Sequence, residues 1–129
     1  MGNRAVVTFT HSPELAIYCH WNGGSESIRA FLLCAQRYGI RGDSYGVARL
    51  AQIIGNFFGG TLSLGVSLLK EADQDNWDNG VFVVNEKWQI VERRFKRHPD
   101  SDDVEYQKGV FEECCKKNDP IFGYEEEVT

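Results

Sequence analysis

The sequence predicts an α+β fold: a two-layer sandwich in which three helices cover one face of a roughly five-stranded, mainly antiparallel sheet, in the order ββααβββα. Short runs rich in β-forming residues are separated by stretches with helical periodicity. The strand runs group into hairpins and lack the strict strand–helix alternation of a parallel sheet. With 129 residues, 42% of them hydrophobic, the chain suits one domain, and we expect residues 124–129 to fray.

The first two strands are predicted at residues 5–9 and 15–20. Both runs are rich in β-branched and aromatic side chains. Between them stand Ser12 and Pro13, a turn-forming pair. The pattern therefore predicts an antiparallel hairpin that turns at Ser12-Pro13.

The first helix is predicted to follow the glycines at 23–24. Ser25 or Ser27 can cap its start, and Gly39 can adopt the left-handed conformation that ends many helices. Its apolar residues repeat at helical spacing: Ile28, Phe31, Leu32 and Ala35.

The second helix has the clearest amphipathic pattern of the chain. Asp43 or Ser44 can cap it, and the glycines at 59–60 end it. Its apolar residues form one stripe: Leu50, Ile53, Ile54, Phe57 and Phe58. That stripe predicts a helix packed on the sheet.

The second half of the chain is predicted to contain three strands. Residues 62–68 alternate between apolar and small polar residues, which predicts a strand with one buried face. A polar, acidic loop spans residues 70–80. Residues 81–84 and 88–91 then predict a second hairpin.

A last helix is predicted with Ser101 as its cap and Asn118-Asp119-Pro120 as its stop. One side of it carries Val104, Phe111, Cys114 and Cys115. The basic tract at residues 93–97 precedes it, and the acidic run that starts at Asp100 follows that tract directly. We expect these two tracts to pair with each other on the surface.

The net charge of −5 argues against a nucleic-acid partner, because a duplex binder needs a basic surface. The charge is unevenly spread: residues 1–69 carry five basic and three acidic side chains, whereas residues 70–129 carry nine and sixteen. An anionic ligand is therefore expected in the N-terminal part.

The four cysteines have neither metal-ligand spacing nor the look of a disulfide framework, since two of them are adjacent. We expect free thiols in a reducing cytoplasm, with no metal and no cofactor. No signal-peptide pattern is present, and no apolar run approaches the length of a membrane span. The sequence thus predicts a cytoplasmic protein without a membrane partner.

The segment between the second strand and the first helix is the candidate ligand site. Its residues are His20, Trp21, Asn22, Gly23, Gly24, Ser25 and Ser27. Amides at a helix start and serine hydroxyls favour a phosphate or carboxylate, and Trp21 could stack on a base. Arg29 and Arg49 could supply counter-charges.

A structural interpretation of the same segment stays open: a strand-to-helix connection capped by serine, with Trp21 in the core. The segment has neither the Rossmann glycine spacing nor a P-loop lysine, and Glu26 would repel an anion.

Two other functions are also open. An acidic surface could mimic nucleic acid or dock on a basic host protein; its residues are Glu71, Asp73, Asp75 and Asp78, together with the acidic residues of the C-terminus. His20 could serve a small hydrolase or transferase with Ser25 or Ser27 nearby in sequence. Because no nucleophile-elbow motif is present, we assign no catalytic residue.

The sequence contains four distinctive motifs: GNRAVVTF at residues 2–9, HWNGG at 20–24, IIGNFFGGT at 53–61 and DNGVFVV at 78–84. Together they resemble the motifs of a family of small uncharacterised proteins encoded by phages, prophages and other mobile elements. The likeness spans about residues 2–92. It implies a protein that acts inside the host cell on host machinery or defences, by occupying a protein surface or by sequestering a small signal such as a cyclic nucleotide.

The leading hypothesis is a non-enzymatic, intracellular binding protein of a phage or mobile element that counters a host defence or modulates the host. Its partner would be a host defence protein or a nucleotide-like small molecule held at residues 20–27. Self-association stays open, because a signal-binding pocket is often built between two copies.

Overall fold

A computed structural model describes residues 2–60 and 63–125 of the chain. It confirms the α+β fold and the predicted order of the elements. The elements are β1 (Ala5–Phe9), β2 (Ser12–Cys19), α1 (Ser25–Arg37), α2 (Ser44–Phe58), β3 (Leu64–Leu68), β4 (Val81–Val84), β5 (Ile90–Arg94) and α3 (Val104–Phe122). One turn of 3₁₀ helix, Leu69–Glu71, follows β3.

The five strands form one mixed sheet in the order β3-β2-β1-β4-β5. β1 pairs with β4 in parallel, and the other three pairs are antiparallel. The parallel pair lies at the centre, so both of its strands are buried on two faces. β3 and β5 are the two edges of the sheet.

The two faces of the sheet are covered differently. On one face, Val7, Phe9 and Phe82 join the main core with residues of all three helices. On the other face, Val6 and Val81 belong to a smaller cluster, also containing Ala16 and Val83, against which Leu69 and Ala72 pack. The helices therefore cover one face, as predicted, and the segment after β3 shields part of the second.

The first hairpin turns earlier than predicted. Phe9 pairs with Ser12, so the turn is Thr10-His11 and Pro13 lies inside β2. The register shifts between Thr8 and Phe9, and such an irregularity interrupts the ladder where Pro13, which has no N–H, would otherwise need a partner. The predicted turn at Ser12-Pro13 is therefore wrong.

The helix boundaries are partly as predicted. Asp43 caps α2 by accepting a hydrogen bond from the Gly46 amide at 3.2 Å, and Gly39 and Gly59 take the left-handed conformation after α1 and α2. α1, however, has Gly24 as its N-cap without any side-chain hydrogen bond. Ser25 and Ser27 are inside the helix, so the predicted serine cap is wrong.

α3 begins and ends later than predicted. Asp103, not Ser101, caps it by accepting a hydrogen bond from the Tyr106 amide at 3.0 Å. The helix continues through Pro120 to Phe122, whose ring stacks on Tyr38 with 4.8 Å between the ring centroids. This contact holds the last turn against α1, and Gly123 ends the helix in the left-handed conformation.

β5 also lies further along the chain than residues 88–91. Trp88 precedes the strand with a positive φ of 62°, and its buried indole donates a hydrogen bond to the Ile40 carbonyl at 2.9 Å. Arg93 and Arg94 of the basic tract consequently belong to the strand. Part of a predicted surface tract is therefore a sheet edge.

β3 lacks the buried face that its alternating pattern predicts. Val66 is 63% exposed and Leu68 is 40% exposed, although both side chains point to the helix face of the sheet. β3 is an edge strand, and α2 lies close to its first residue: a Cβ at Gly55 would be 3.5 Å from the Leu64 side chain. The predicted start of this strand at Leu62 lies outside the described residues.

The four cysteines are buried and free. Cys34 of α1 lies 3.8 Å, sulfur to sulfur, from Cys115 of α3. Burial raises the pKa of Cys19 and of Cys115 to about 12. These thiols behave as packing groups of the core rather than as nucleophiles.

Candidate ligand-binding site

The glycines of the predicted site are used for packing. The Gly23 amide donates a hydrogen bond to the Asn3 carbonyl at 2.8 Å. A Cβ at Gly23 would lie 2.5 Å from that carbonyl oxygen and 2.8 Å from Ala5 Cβ. Gly23 therefore lets the turn lie close to β1, which is a structural reason for the residue. A Cβ at Gly24 would meet the Glu26 carboxylate at 3.2 Å.

The two serine hydroxyls of the predicted site are buried and bound internally. The Ser25 hydroxyl accepts a hydrogen bond from the Ser101 amide at 2.8 Å. The Ser27 hydroxyl accepts one from the Asn22 side-chain amide at 3.2 Å. The Asn22 backbone is left-handed, with φ of 55°. A ligand would have to displace these partners in order to use either hydroxyl.

The aromatic side of the turn is accessible. Trp21 is 47% exposed, so the alternative in which its indole fills the core is wrong. His20 packs edge-on against Trp21, with 5.1 Å between ring centroids, and its Nδ1 shares a hydrogen bond of 2.9 Å with the Tyr18 hydroxyl. The neighbouring segment 24–27 carries the first amides of α1, which have no intrahelical partner.

Arg29 and Arg49 have different environments. Arg49 is exposed on α2 and makes no hydrogen bond or ion pair with any residue that the structure describes. Arg29 is half-buried on α1: its Nε donates to the Gln107 side-chain oxygen at 3.0 Å, and its Nη2 donates to the Ser101 carbonyl. Both acceptors are neutral. Ser25 and Arg29, one helical turn apart, thus both bind the segment before α3.

A cleft opens beside Arg29. It has a volume of about 430 Å³ and lies between α1, the start of β5 and the first turns of α3. Apolar side chains and a polar rim share its lining, which consists of Leu32, Leu33, Trp88, Ile90, Arg29, Gln36, Gln89, Asp100 and Gln107. A cleft of a few hundred Å³ with apolar walls and a few convergent polar groups is typical of small-molecule sites.

The charged residues of the cleft lining are Arg29 and Asp100. Arg93 is 89% buried and binds Asp100 at 3.0 Å, and Lys96 lies 3.7 Å from the same carboxylate. Burial lowers the pKa of Arg93 in spite of Asp100, and the charge of Arg29 adds to this effect. Within the described part of the chain, Arg29 itself has no carboxylate within 4.0 Å. Asp100 is therefore paired with two cations, Arg93 and Lys96.

Arg93 also bonds main-chain groups at the start of β4. Its Nη1 donates to the carbonyls of Asn79 and Val81, each at 2.8 Å, and its guanidinium lies 3.6 Å from the centroid of the Phe82 ring. Its Nε is buried and makes no hydrogen bond with the residues that the structure describes. The predicted pairing of the basic tract with Asp100 is confirmed for Arg93 and Lys96.

The predicted acidic surface is largely neutralised by the protein's own arginines. Asp78 accepts hydrogen bonds from Arg4 at 2.8 Å, and Asp75 is 2.6 Å from Arg97. The hydrogen bond from Arg97 lowers the pKa of Asp75. Asp73 lies 4.0 Å from Arg4, which leaves Glu71 exposed beyond these pairs.

Comparison with known proteins does not assign this chain to a family. The sequence matches no protein-family model, no curated protein and no solved structure. Among the described residues, no group of three or more His, Cys, Asp or Glu side chains could hold a metal ion. In the same part of the chain, the helices are too short or too polar to cross a membrane.

The sequence identifies Arg29 as a candidate but misses most of the cleft. Gln107 contacts Arg29 across 78 positions of sequence, and Asp100 also comes from the segment before α3. Gln36 and Gln89 are exposed polar residues of ordinary type. No local pattern marks such residues, because the cleft exists only once α1, β5 and α3 are assembled.

Proposed function

We propose that the protein is a non-catalytic binding protein of a phage or other mobile element, and that it sequesters a small anionic, nucleotide-like ligand in the cleft beside Arg29. The observation that carries the proposal is the environment of Arg29. Its guanidinium is held at the cleft by the neutral oxygens of Ser101 and Gln107. An anionic group of a ligand would supply the carboxylate-like partner that the described residues do not provide.

The shape and chemistry of the cleft favour this ligand class. A guanidinium has five N–H donors, and the two bonds of Arg29 leave about three for a phosphate. Leu33 and Ile90 offer an apolar surface to a base or sugar. The Gln36 side-chain nitrogen donates to the carbonyls of Lys87 and Trp88, so its side-chain oxygen is the group that can accept from a base edge, and the Gln89 side-chain nitrogen can donate to one.

The resemblance to proteins of mobile elements supports the biological role. A small binding protein made inside the host cell could lower the concentration of a nucleotide signal that activates a defence. In this proposal the protein acts in the host cytoplasm by stoichiometric capture. The predicted turn at residues 20–27 begins the helix that carries Arg29, so it could extend the same site.

Isothermal titration calorimetry tests the proposal. Purified protein would be titrated with adenosine monophosphate, cyclic AMP and a series of cyclic dinucleotides, with adenosine and inorganic phosphate as comparators. We expect at least one nucleotide to bind and Arg29→Met to weaken it at least about tenfold, since a charged hydrogen bond contributes about 1.5–3 kcal/mol. Arg49→Met, which removes an exposed arginine of α2, should bind as the wild type does.

Two further variants separate the cleft from the turn. Leu33→Glu places a negative charge on the cleft wall and should weaken binding. Gly24→Ala changes the turn and should leave cleft binding unchanged. Binding lost in Gly24→Ala but kept in Leu33→Glu would assign the ligand to the turn. Absence of heat with every compound, or unchanged affinity in Arg29→Met, would reject the proposal.

The alternatives give different results in the same samples. A hydrolase or transferase acting through His20 would convert the bound nucleotide, and the product would vanish in His20→Ala. A sequestering protein should release the ligand intact on denaturation, as measured by mass spectrometry. An acidic inhibitor of a basic host protein is less favoured, because Arg4 and Arg97 already offset Asp78 and Asp75.

A further inference from the structure

β3 is an edge strand without the usual protection against pairing with another strand. Proteins commonly guard sheet edges with charged side chains, bulges or a covering segment. β3 contains only leucine, glycine, valine and serine, and its register with β2 is regular from Leu64 to Leu68. Its helix-face side chains are exposed at Val66 and Leu68. This edge therefore offers apolar side chains next to open main-chain groups.

The hydrogen-bond phase of the ladder shows which main-chain groups are open. The His20 amide donates to the Ser63 carbonyl at 2.8 Å. Bonded pairs alternate along an antiparallel ladder, so Gly65 and Ser67 also direct their amides and carbonyls toward β2. The amides and carbonyls of Leu64, Val66 and Leu68 consequently point away from the sheet. Among the described residues, no backbone group from another segment binds them.

We propose that β3 pairs with β3 of a second copy of this chain, antiparallel and centred on Val66. The strand reads Leu-Gly-Val-Ser-Leu, which is nearly symmetrical about its middle residue. In this register Val66 faces Val66 of the second copy, and Leu64 faces Leu68. All three residues of each copy direct their amides and carbonyls at the partner. The Leu68 carbonyl accepts from the Ser67 hydroxyl at 3.1 Å and has a second lone pair for the partner, so about six hydrogen bonds can form.

The side chains fit this register as well as the backbone does. Residues opposite each other in a sheet project from the same face, so the exposed Val66 and Leu68 side chains would be covered by apolar side chains of the second copy. The strand carries no charge, so two copies meet no like-charge repulsion. A two-fold axis relates the copies, as in most homodimers.

β5, the opposite edge of the sheet, is not suited to the same pairing. β5 carries Glu92, Arg93 and Arg94, and its register with β4 shifts between Val83 and Val84. Charges and an irregular register are the devices that block edge-to-edge association. Pairing through β3 would give a continuous ten-stranded sheet with the helices of both copies on one face. The cleft beside β5 would stay open in each copy, so this proposal does not depend on the ligand.

Sedimentation equilibrium over about 5–500 µM protein tests the association. We expect the wild type to shift from monomer to dimer over this range. Val66→Lys places two ammonium groups opposite each other and should weaken the dimer at least about tenfold. Val91→Lys is the matched control, because Val91 is a similarly exposed valine of the other edge strand. It should associate as the wild type does.

Cysteine cross-linking tests the register. Val66→Cys should form a disulfide-linked dimer with oxidised glutathione: two thiols lose two electrons and two protons, and glutathione is reduced. The pair would have Cα atoms about 5.5 Å apart, within disulfide range. Leu68→Cys is the control, because its counterpart lies four residues away along the strand, about 13 Å. The four native thiols are buried.

Two results would overturn the proposal. One is a wild-type protein that stays monomeric over the whole concentration range, in which case the edge is either left open or meets a different protein. The other is a Leu68→Cys variant that cross-links as fast as Val66→Cys, which would exclude the antiparallel register centred on Val66.

Discussion

The two ends of the sheet are built from different interactions. At the β5 end, Arg93 joins the strand to Asp100, and Arg29 joins α1 to the same segment before α3. At the β3 end, Leu64 packs near Gly55 of α2 and the strand beyond it is apolar and exposed. At the β5 edge, charged side chains oppose pairing with another strand, and the cleft lies beside this edge. The other edge stays available because nothing charged guards it.

The largest loss of stability is expected when Arg93 is removed from the β5 end. Arg93→Ala removes the donor for the carbonyls of Asn79 and Val81 and the partner of Asp100. It also uncovers the Phe82 ring. We expect the free energy of unfolding to fall by about 2–4 kcal/mol, because buried acceptors lose their partners. Urea denaturation followed by circular dichroism measures it.

Arg94→Ala is the matched control for that experiment. Arg94 belongs to the same strand, but its side chain is 41% exposed and pairs only with the half-exposed Glu92. An exposed pair of this kind contributes little, so we expect a change within about 0.5 kcal/mol. Equal losses in the two variants would mean that Arg93 is not the residue that secures the β5 end.

A smaller effect is expected at the ion pair that fixes α3 on α1. Asp119 accepts hydrogen bonds from Arg37 at 3.0 and 2.9 Å and from the Tyr38 hydroxyl at 2.5 Å. The hydrogen bonds from Arg37 lower the pKa of Asp119. At pH 7 we expect Asp119→Asn to lower the free energy of unfolding by about 1–2 kcal/mol.

The pH dependence of this effect has a definite sign. A carboxyl whose folded pKa is lowered contributes its full stability above its ordinary pKa of about 3.9 and loses it as the pH falls through the folded value. The difference between wild type and Asp119→Asn should therefore shrink below about pH 4. Thermal unfolding between pH 2.5 and 7 measures it, with Glu113→Gln as control, because Glu113 is half-exposed and pairs with Lys117 on its own helix. A difference that stays constant with pH would contradict the assignment.

The contrast between the two ends also explains what the sequence could predict. Local signals identify α2, because Asp43 and Gly59 act through the nearest turn of backbone. The strand pattern of β5 is hidden, because Arg93 reads as a surface residue and becomes buried only by bonding carbonyls of another segment. At the other end, the side chains of β3 do alternate between the two faces of the sheet. Burial of one face, as predicted, would require a helix over Val66, and that residue is exposed.

The candidate site follows the same rule. Arg29 could be chosen from the sequence, since it follows a glycine- and serine-rich helix start. Ser25 has a different partner than the capping rule implies, because its hydroxyl bonds to Ser101, 76 positions away in the sequence. Gln107 and Asp100 reach the cleft through the packing of α3 on α1. Sequence patterns report contacts within a turn or a hairpin, and this cleft consists of contacts between distant segments.

Salt concentration should affect ligand binding at the β5 end and dimerisation at the β3 end differently, without any substitution in the protein. Between 50 and 500 mM NaCl the Debye length falls from about 14 Å to about 4 Å, so binding of a nucleotide beside Arg29 should weaken severalfold. Pairing through β3 involves no charged side chain, and we expect its dissociation constant to change less than about twofold. Calorimetry and sedimentation equilibrium at the two salt concentrations measure these quantities. A dimer as salt-sensitive as the ligand complex would have to be held by charges, and β3, which has none, could not be its interface.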